Sequence, residues 1–468
     1  MRVGRPIVEG NRFLFISIVL SLYGMPPKRK KTLQTIQLPG IAIETQDPAV
    51  VKKHIAGVVA LSFVTKLFTV VLTVGVFSSF VDFFDISLYY GYATQVLAGK
   101  IPFLDFSIEY PVLFLVPVLL PLIFTLGTAN PMVYILGYIG IMAVFDALIA
   151  ACVYLAALRL YQEKTAFLCG ILSATAFSAG YFAITKYDAF PTFLLVTGIL
   201  FVLYGAAGKG YAAIALGFLA KIFPLLALPP ALLHASAATS VREELRRAAK
   251  VCLPIVIILA IPTLLLDPAA YKTYLFAAGA GAGLYVNTPT NTLALLLQDV
   301  LHLPVSTDMI STGMYILMVA GFAALVALAL TARRGEGRRL IVIVLLLLFT
   351  AVFFSRFHSP QYILWLTPFL AILLAGSVRG ILLFYLVQAM VYIEFPLMFG
   401  KLYVNLSYVA APLTAGWYAA FLLFAVKWIV VSIAVYYAVR SDTDLHGDLR
   451  ALPARLRSLV RMKGSPSA

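Results

Sequence analysis

Residues Asp82–Pro121 read DFFDISLYYGYATQVLAGKIPFLDFSIEYPVLFLVPVLLP. Four carboxylates (Asp82, Asp85, Asp105 and Glu109) crowd into this stretch of a chain that is 62% hydrophobic and only 12% charged. An apolar run over 56–80 precedes it, long enough to cross a bilayer, which takes about 20 helical residues. Acids that emerge from such a run either face water or serve a polar cavity.

The rest of the chain repeats the apolar theme. A mean hydropathy of +0.97 over 468 residues excludes an ordinary soluble globule. Further apolar runs lie near 111–126, 131–158, 165–183, 189–206, 211–233, 251–266, 311–332, 340–354, 361–375, 380–399 and 414–439. Backbone polar groups in lipid must be satisfied within the segment, so these runs are expected to be helices. The fold class expected is an all-α polytopic membrane protein with roughly 10–12 transmembrane helices at about 20 residues each. Residues 1–55 read as a cytoplasmic leader, 56–440 as the transmembrane domain with its first external loop at 81–130, and 441–468 as a basic cytoplasmic tail. Phe13–Leu22 is too short to span and lacks a small-residue cleavage site. Met25, just before the basic Lys28–Lys31, is a second candidate start.

A net charge of +15 invites a nucleic-acid reading, but the bases sit in short loops between apolar runs. There they set membrane orientation, so membrane lipids are the expected surroundings and nucleic acid is not an expected partner. Cys152, Cys169 and Cys252 all lie within apolar runs and read as small buried hydrophobes rather than as a disulfide or metal framework.

The positive-inside rule places Lys28–Lys31, Arg159 with Lys164, Lys209, Arg242–Lys250, Arg333–Arg339, Arg379 and the tail on the cytoplasmic side. That assignment works only if two runs fail to cross. The run 111–126 carries Pro111, Pro117 and Pro121, and reads as broken and interfacial. The run 211–233 is bounded by basic residues at both ends and holds Lys221 and Pro224 in mid-run, which suggests a broken re-entrant pair. The acidic cluster, TKYDAFP (185–191), NTPTNT (287–292) and SRFHSPQY (355–362) then share the opposite face. Four sequence-distant polar segments on one face argue for one composite site. The sequon at Asn405 falls on that face too, a weak signal on its own.

The string DISLYYGYATQVLAGKIPFLDFSIEYP resembles the first external loop of GT-C glycosyltransferases, especially the polyprenyl-phosphate-mannose-dependent mannosyltransferases. The matching positions are Asp85, Tyr89, Gly99, Pro102, Asp105, Phe106, Glu109, Tyr110 and Pro111, with departures at Phe103 and Val112. KYDAFP (Lys186, Tyr187, Asp188, Pro191), the Lys221-x-x-Pro224 segment, and SPQYILW (Ser359, Gln361, Tyr362, Trp365) resemble later motifs in the same order. The loop before Asn291 lacks the basic-residue-plus-Glu-Ser motif of many relatives. The resemblance covers roughly 56–399. It implies a membrane glycosyltransferase with a polyprenyl-phosphate-sugar donor, a lipid or glycan acceptor, and a site on the extracytoplasmic face of the plasma membrane, both termini being cytoplasmic.

Such a reaction needs a base for the acceptor hydroxyl, cations for the phosphate and exclusion of water. Asp85 is the expected base, with Tyr89 one turn on along the same helix face. By position alone Asp82 is almost equal, and the alternative for Asp85 is a helix cap. Asp105 and Glu109 either hold the loop or bind sugar hydroxyls, alongside Tyr110. Asp188 is a substrate group or another cap. Lys186, Gln361 and Tyr362 join the substrate-binding set by resemblance. Lys221, Arg356 and His358 are the candidate phosphate cations. Lys66, in the first span, reads as snorkelling or packing, and Asp146 as functional or paired with another helix. No motif specifies a cofactor, although Asp85, Asp105 and Asp188 leave a hard divalent cation open. The competing class is a multi-pass lipid or sugar transporter or flippase, which would place polar residues at the midplane of paired broken helices.

Overall fold

The computed structural model describes residues 34–39, 41–45, 47–76, 83–269, 284–331, 335–398 and 415–440. Most of the leader, Asp82, the sequon at Asn405 and the basic tail lie outside them. The chain begins with an antiparallel hairpin, β1 (Gln34–Leu38) and β2 (Ile41–Thr45), which the leader reading did not anticipate. Its alternation is short but real: Ile36, Ile41 and Ile43 are buried, and Gln37, Ala42 and Glu44 are exposed. These are the only strands among the described residues.

The first helix, α1 (Pro48–Val70), starts well before residue 56 because its N-terminus is strongly specified. The Asp47 carboxylate accepts from the backbone N–H groups of Ala49 and Val50, and Pro48 occupies the first turn. A π-helical segment, Val71–Val76, extends it. The short helix α2 (Phe84–Leu97) leads into a tight loop. The run 111–126 then breaks into a 3-10 turn (Val112–Phe114), α3 (Leu115–Leu119) and α4 (Leu122–Thr125), followed by left-handed Leu126 and Gly127. It stays beside the start of α5 (Pro131–Leu158), where the Tyr134 hydroxyl donates to the Val118 carbonyl at 2.8 Å.

Helices α1 and α5 run antiparallel. His54 meets Tyr154 at 3.2 Å near one end, and the Ser62 hydroxyl donates to Asp146 at 2.7 Å near the middle. Lys66 does not snorkel; it is 2% exposed and ion-paired with Asp146. A lysine deep between spans is tolerable only with such an anionic partner.

The run 165–183 becomes α6 (Glu163–Ala174) and α7 (Phe177–Thr185), bent by 52°. At the break, side chains from the later helix Val378–Tyr392 satisfy polar groups: the Ala179 N–H donates to the Gln388 side-chain carbonyl at 3.0 Å, and Thr175 meets the Tyr385 hydroxyl at 2.7 Å. Next come α8 (Ala189–Leu203) and α9 (Ala207–Ala220). They pack closely through glycines, since a Cβ on Gly210 would lie 2.8 Å from the Gly198 carbonyl oxygen.

Lys221 is extended and ends α9; a 3-10 segment (Phe223–Ala227) and α10 (Leu228–Ala235) then return. Both ends of this unit lie near basic loops: Gly208 faces Arg247, and Ala237 faces Gly335. The run 211–233 is therefore broken at Lys221, with both of its ends near basic segments. The remaining helices are α11 (Val241–Leu266), α12 (Pro289–Leu295), α13 (Thr307–Thr331), α14 (Gly337–Phe354), α15 (Ile363–Leu374), α16 (Val378–Tyr392) and α17 (Ala415–Arg440).

Among the described residues, seven helices are long and apolar enough to cross a membrane, or eight if the bent pair counts as one span. The other apolar runs form shorter helices, among them Ala189–Leu203, Ala207–Ala220 and Pro360–Leu374. The architecture is a helical, multi-pass membrane fold.

One end of the bundle gathers the basic connections. Arg338 donates to Tyr161 at 2.8 Å, Gly337 lies against Leu160 and Leu203, and Ser377 meets Tyr437 at 3.2 Å. The opposite end gathers the polar motifs. Cysteines introduced at exposed Ser87 and exposed Ala238 should therefore react with a membrane-impermeant thiol reagent from opposite sides of sealed vesicles. Labelling of both from one side would overturn this arrangement. The native thiols interfere little, as Cys152 and Cys169 are buried and Cys252 half-buried.

Candidate functional site

The turn between α7 and α8, Lys186-Tyr187-Asp188, organises the polar end. Its two charged side chains take partners from different elements. Lys186 pairs with Asp85 of α2 at 3.0 Å, and Asp188 pairs with Lys221 at 2.7 Å. Asp188 also accepts from the Gln361 amide at 2.9 Å and the Trp365 indole N–H at 2.7 Å. A loop, a helix end, a helix break and the head of α15 thus meet at two carboxylates.

Neither carboxylate is a cap. Asp85 lies inside the first turn of α2, whose N-cap is Phe83, and Asp188 makes no capping hydrogen bond to α8. Their environments differ. Asp188 is fully buried and both of its oxygens accept, Oδ1 from Lys221 and Trp365 and Oδ2 from Gln361. The Asp85 side chain is 20% exposed, and Lys186 and the Tyr89 hydroxyl, the latter at 3.4 Å, both approach its Oδ2. No hydrogen bond from a described residue reaches Oδ1 of Asp85. Burial first, and then the Asp85 charge, pushes the Tyr89 phenol well above its ordinary value, so it keeps its proton and acts as a donor.

Aromatic rings wall this region. Tyr110 stacks on Phe114 at 4.3 Å and meets Tyr187 edge-on at 5.2 Å. Lys221 lies over the Tyr187 ring at 4.7 Å and the Tyr362 ring at 5.5 Å, and Tyr362 stacks on Trp365 at 3.9 Å. Cation–π contacts add to the Asp188 pairing in holding Lys221.

These placements correct several expectations. Lys221 is not an isolated cation awaiting phosphate, because Asp188 balances it. His358 is buried, and that burial, with the Lys427 ammonium nearby, pushes its imidazole well below 6.5; it is neutral at pH 7 and offers phosphate no charge. Lys186 and Gln361, expected to contact substrate, are engaged by Asp85 and Asp188. Asp105 is exposed and accepts from the Ile101 N–H at 2.6 Å, so it ties its own loop. Glu109 is exposed as well, and its charge, after burial, helps push the Tyr92 phenol up to about 12. Among the described residues no three His, Cys, Asp or Glu side chains converge as a metal site, so Asp85, Asp105 and Asp188 are not gathered around one ion.

Arg356 remains the phosphate candidate. It is half-buried, its Nε is buried without a hydrogen-bond partner, and no described carboxylate pairs with it. Its carbonyl accepts from the Tyr285 N–H at 3.0 Å, which anchors the segment entering NTPTNT.

A second buried cluster adjoins the first through His358, whose ring lies 5.6 Å from Tyr362 and 4.8 Å from Trp428. There Lys427 pairs with Glu394 at 2.8 Å, and the Asn287 amide donates to Glu394 at 2.8 Å. The Trp428 indole N–H donates to the Asn287 carbonyl at 2.8 Å. Sequence reading singled out neither Glu394 nor Lys427. A signal existed, since each is a lone charge in an apolar run, the same signature that drew attention to Asp146 and Lys221. Of the four polar segments expected together, the structure brings Asp85, Lys186 with Asp188, Asn287, and His358 with Gln361 into one connected region. Asp105 and Glu109 stay outside its hydrogen-bonded core. In comparisons with known proteins, the chain matches no family model and no curated protein.

Proposed function

We propose that the chain is a GT-C-type membrane glycosyltransferase. It moves a sugar, mannose on the resemblance, from a polyprenyl-phosphate donor to a lipid or glycan acceptor. The observation that carries this reading is the convergence of four sequence-distant polar segments at the end opposite the basic loops, with one partly exposed carboxylate among them. By the positive-inside rule that end is extracytoplasmic, in a plasma membrane, with both termini cytoplasmic.

Asp85 takes the proton from the acceptor hydroxyl through its free oxygen. The acceptor oxygen attacks the anomeric carbon from the side opposite the phosphate, the carbon–oxygen bond to phosphate breaks, and the phosphate leaves with the electron pair. One displacement gives inversion. Arg356 meets the leaving phosphate with a planar fork of donors, and the Tyr110–Phe114–Tyr187 wall limits water.

The decisive experiment supplies radiolabelled polyprenyl-phosphate-mannose and a lipid acceptor to purified protein in vesicles. Label in the acceptor supports transfer. Movement of unchanged donor between leaflets would support the transporter or flippase reading, which the mid-span Lys66–Asp146 pair favours. Arg356→Gln is expected to weaken donor binding by about 10- to 100-fold, the scale of a lost charge-assisted contact. Acceptor binding should be spared. Unchanged donor affinity in this variant would place the phosphate elsewhere.

A further inference from the structure

We infer that Lys186 and Tyr89 are positioning residues that anchor one oxygen of Asp85 and leave the other free to accept a proton. This rests on the transferase reading above and deepens it.

Both partners use the same oxygen of Asp85. The Lys186 ammonium reaches Oδ2 of Asp85 at 3.0 Å, and the Tyr89 hydroxyl donates to the same Oδ2 at 3.4 Å. They approach from different elements, Lys186 from the turn after α7 and Tyr89 from one turn further along α2. Two donors on one oxygen fix the rotation of the carboxylate, because turning it would exchange an anchored oxygen for an unanchored one. Neighbouring Asp188 provides the contrast within the same site. Its two oxygens carry three donors between them and it is fully buried, so it has no donor-free oxygen to offer an acceptor. Asp85 keeps one.

Lys186 is itself well placed to hold this geometry. Its side chain is only 6% exposed, and its ammonium lies 6.0 Å from the centre of the Phe395 ring. A buried stem of this kind restricts where the ammonium can sit. The backbone supports it, as the Lys186 N–H donates to the Phe182 carbonyl at 2.9 Å and closes the last turn of α7. The position of the ammonium is therefore set by the membrane domain, and Asp85, on the short helix α2, is registered against it.

The test uses the full chain, purified into vesicles, in the sugar-transfer assay described above. Lys186→Met should lower kcat by about 10- to 100-fold, the scale of a misplaced reacting group, with KM for donor and acceptor nearly unchanged. Tyr89→Phe should lower kcat less, again without moving KM. In an Asp85→Asn background, Lys186→Met should cause little further loss, because residues that act as a unit are not additive. A raised donor KM at unchanged kcat would instead make Lys186 a donor-binding group and overturn the inference. So would a full additional loss in the Asp85→Asn background. If Lys186→Met fails to insert, Tyr89→Phe carries the same KM-against-kcat test, and an unchanged kcat there overturns the anchoring role. Absence of transfer by the unaltered chain, or full activity of Asp85→Asn, would fail the transferase reading itself, an outcome distinct from either of these.

Discussion

Asp85→Asn is expected to yield a correctly inserted protein whose sugar-transfer rate is lower by at least ~10²-fold, the usual scale for loss of a general base. The substitution keeps the size of the side chain and its place in the first turn of α2, but the amide cannot take the acceptor proton. Asn keeps an oxygen for the Lys186 ammonium and the Asp85 side chain is partly exposed, so the change should cost less stability than removal of a fully buried partner. The measurement is initial transfer rate per mole of folded protein, with monodispersity in detergent as the control. Near-normal activity in this variant together with an inactive Asp82→Asn would move the base to Asp82, which lies outside the described residues. Activity surviving both changes would end the carboxylate-base mechanism.

Asp188→Ala should behave in the opposite way. It leaves the Lys221 ammonium, the Gln361 amide and the Trp365 indole N–H without their shared acceptor in a buried place. Breaking a buried ion pair by removing one partner costs about 3–5 kcal/mol, and three donors are stranded here. The expected result is a sharp fall in thermal stability in detergent and in yield of folded protein. Lys221→Met should show the same direction with a smaller fall, since it strands a carboxylate that keeps two donors. An Asp188→Ala protein that retains its melting temperature but loses donor binding would make Asp188 a substrate group instead. The two aspartates thus separate cleanly, one expected to affect rate and the other stability.

Much of the helical layout could be read from the sequence because apolar runs of spanning length leave the backbone little choice. The two runs that parity and proline marked as non-crossing, 111–126 and 211–233, are indeed broken, the first at Pro121 and the second at Lys221 just before Pro224. The hairpin at Gln34–Thr45 escaped because its alternation spans few residues and yields only three buried isoleucines. The membership of the site was partly legible, since polar residues in an oily chain stand out. Its pairing was not. Asp188 meets Gln361 across 173 residues of sequence, and nothing local distinguishes that partner from Lys186, two residues away. Caps were a reasonable expectation for Asp85 and Asp188, but tertiary donors outcompeted the helix N-termini. Arg356 stays a candidate because no described carboxylate pairs with it, whereas His358 lost its charge to burial, which a sequence window does not display.

The buried lysines also have a history in synthesis. Asp188 precedes Lys221 by 33 residues, and Glu394 precedes Lys427 by a similar interval, so in each pair the anion enters the membrane before the cation that needs it. Lys66 has the reverse order. It is made before Asp146, and until α5 arrives it sits in the first span with no counter-charge, at a cost of about 2.5–3.5 kcal/mol for a central position. The nascent first helix therefore carries this cost until the third apolar run has been delivered beside it.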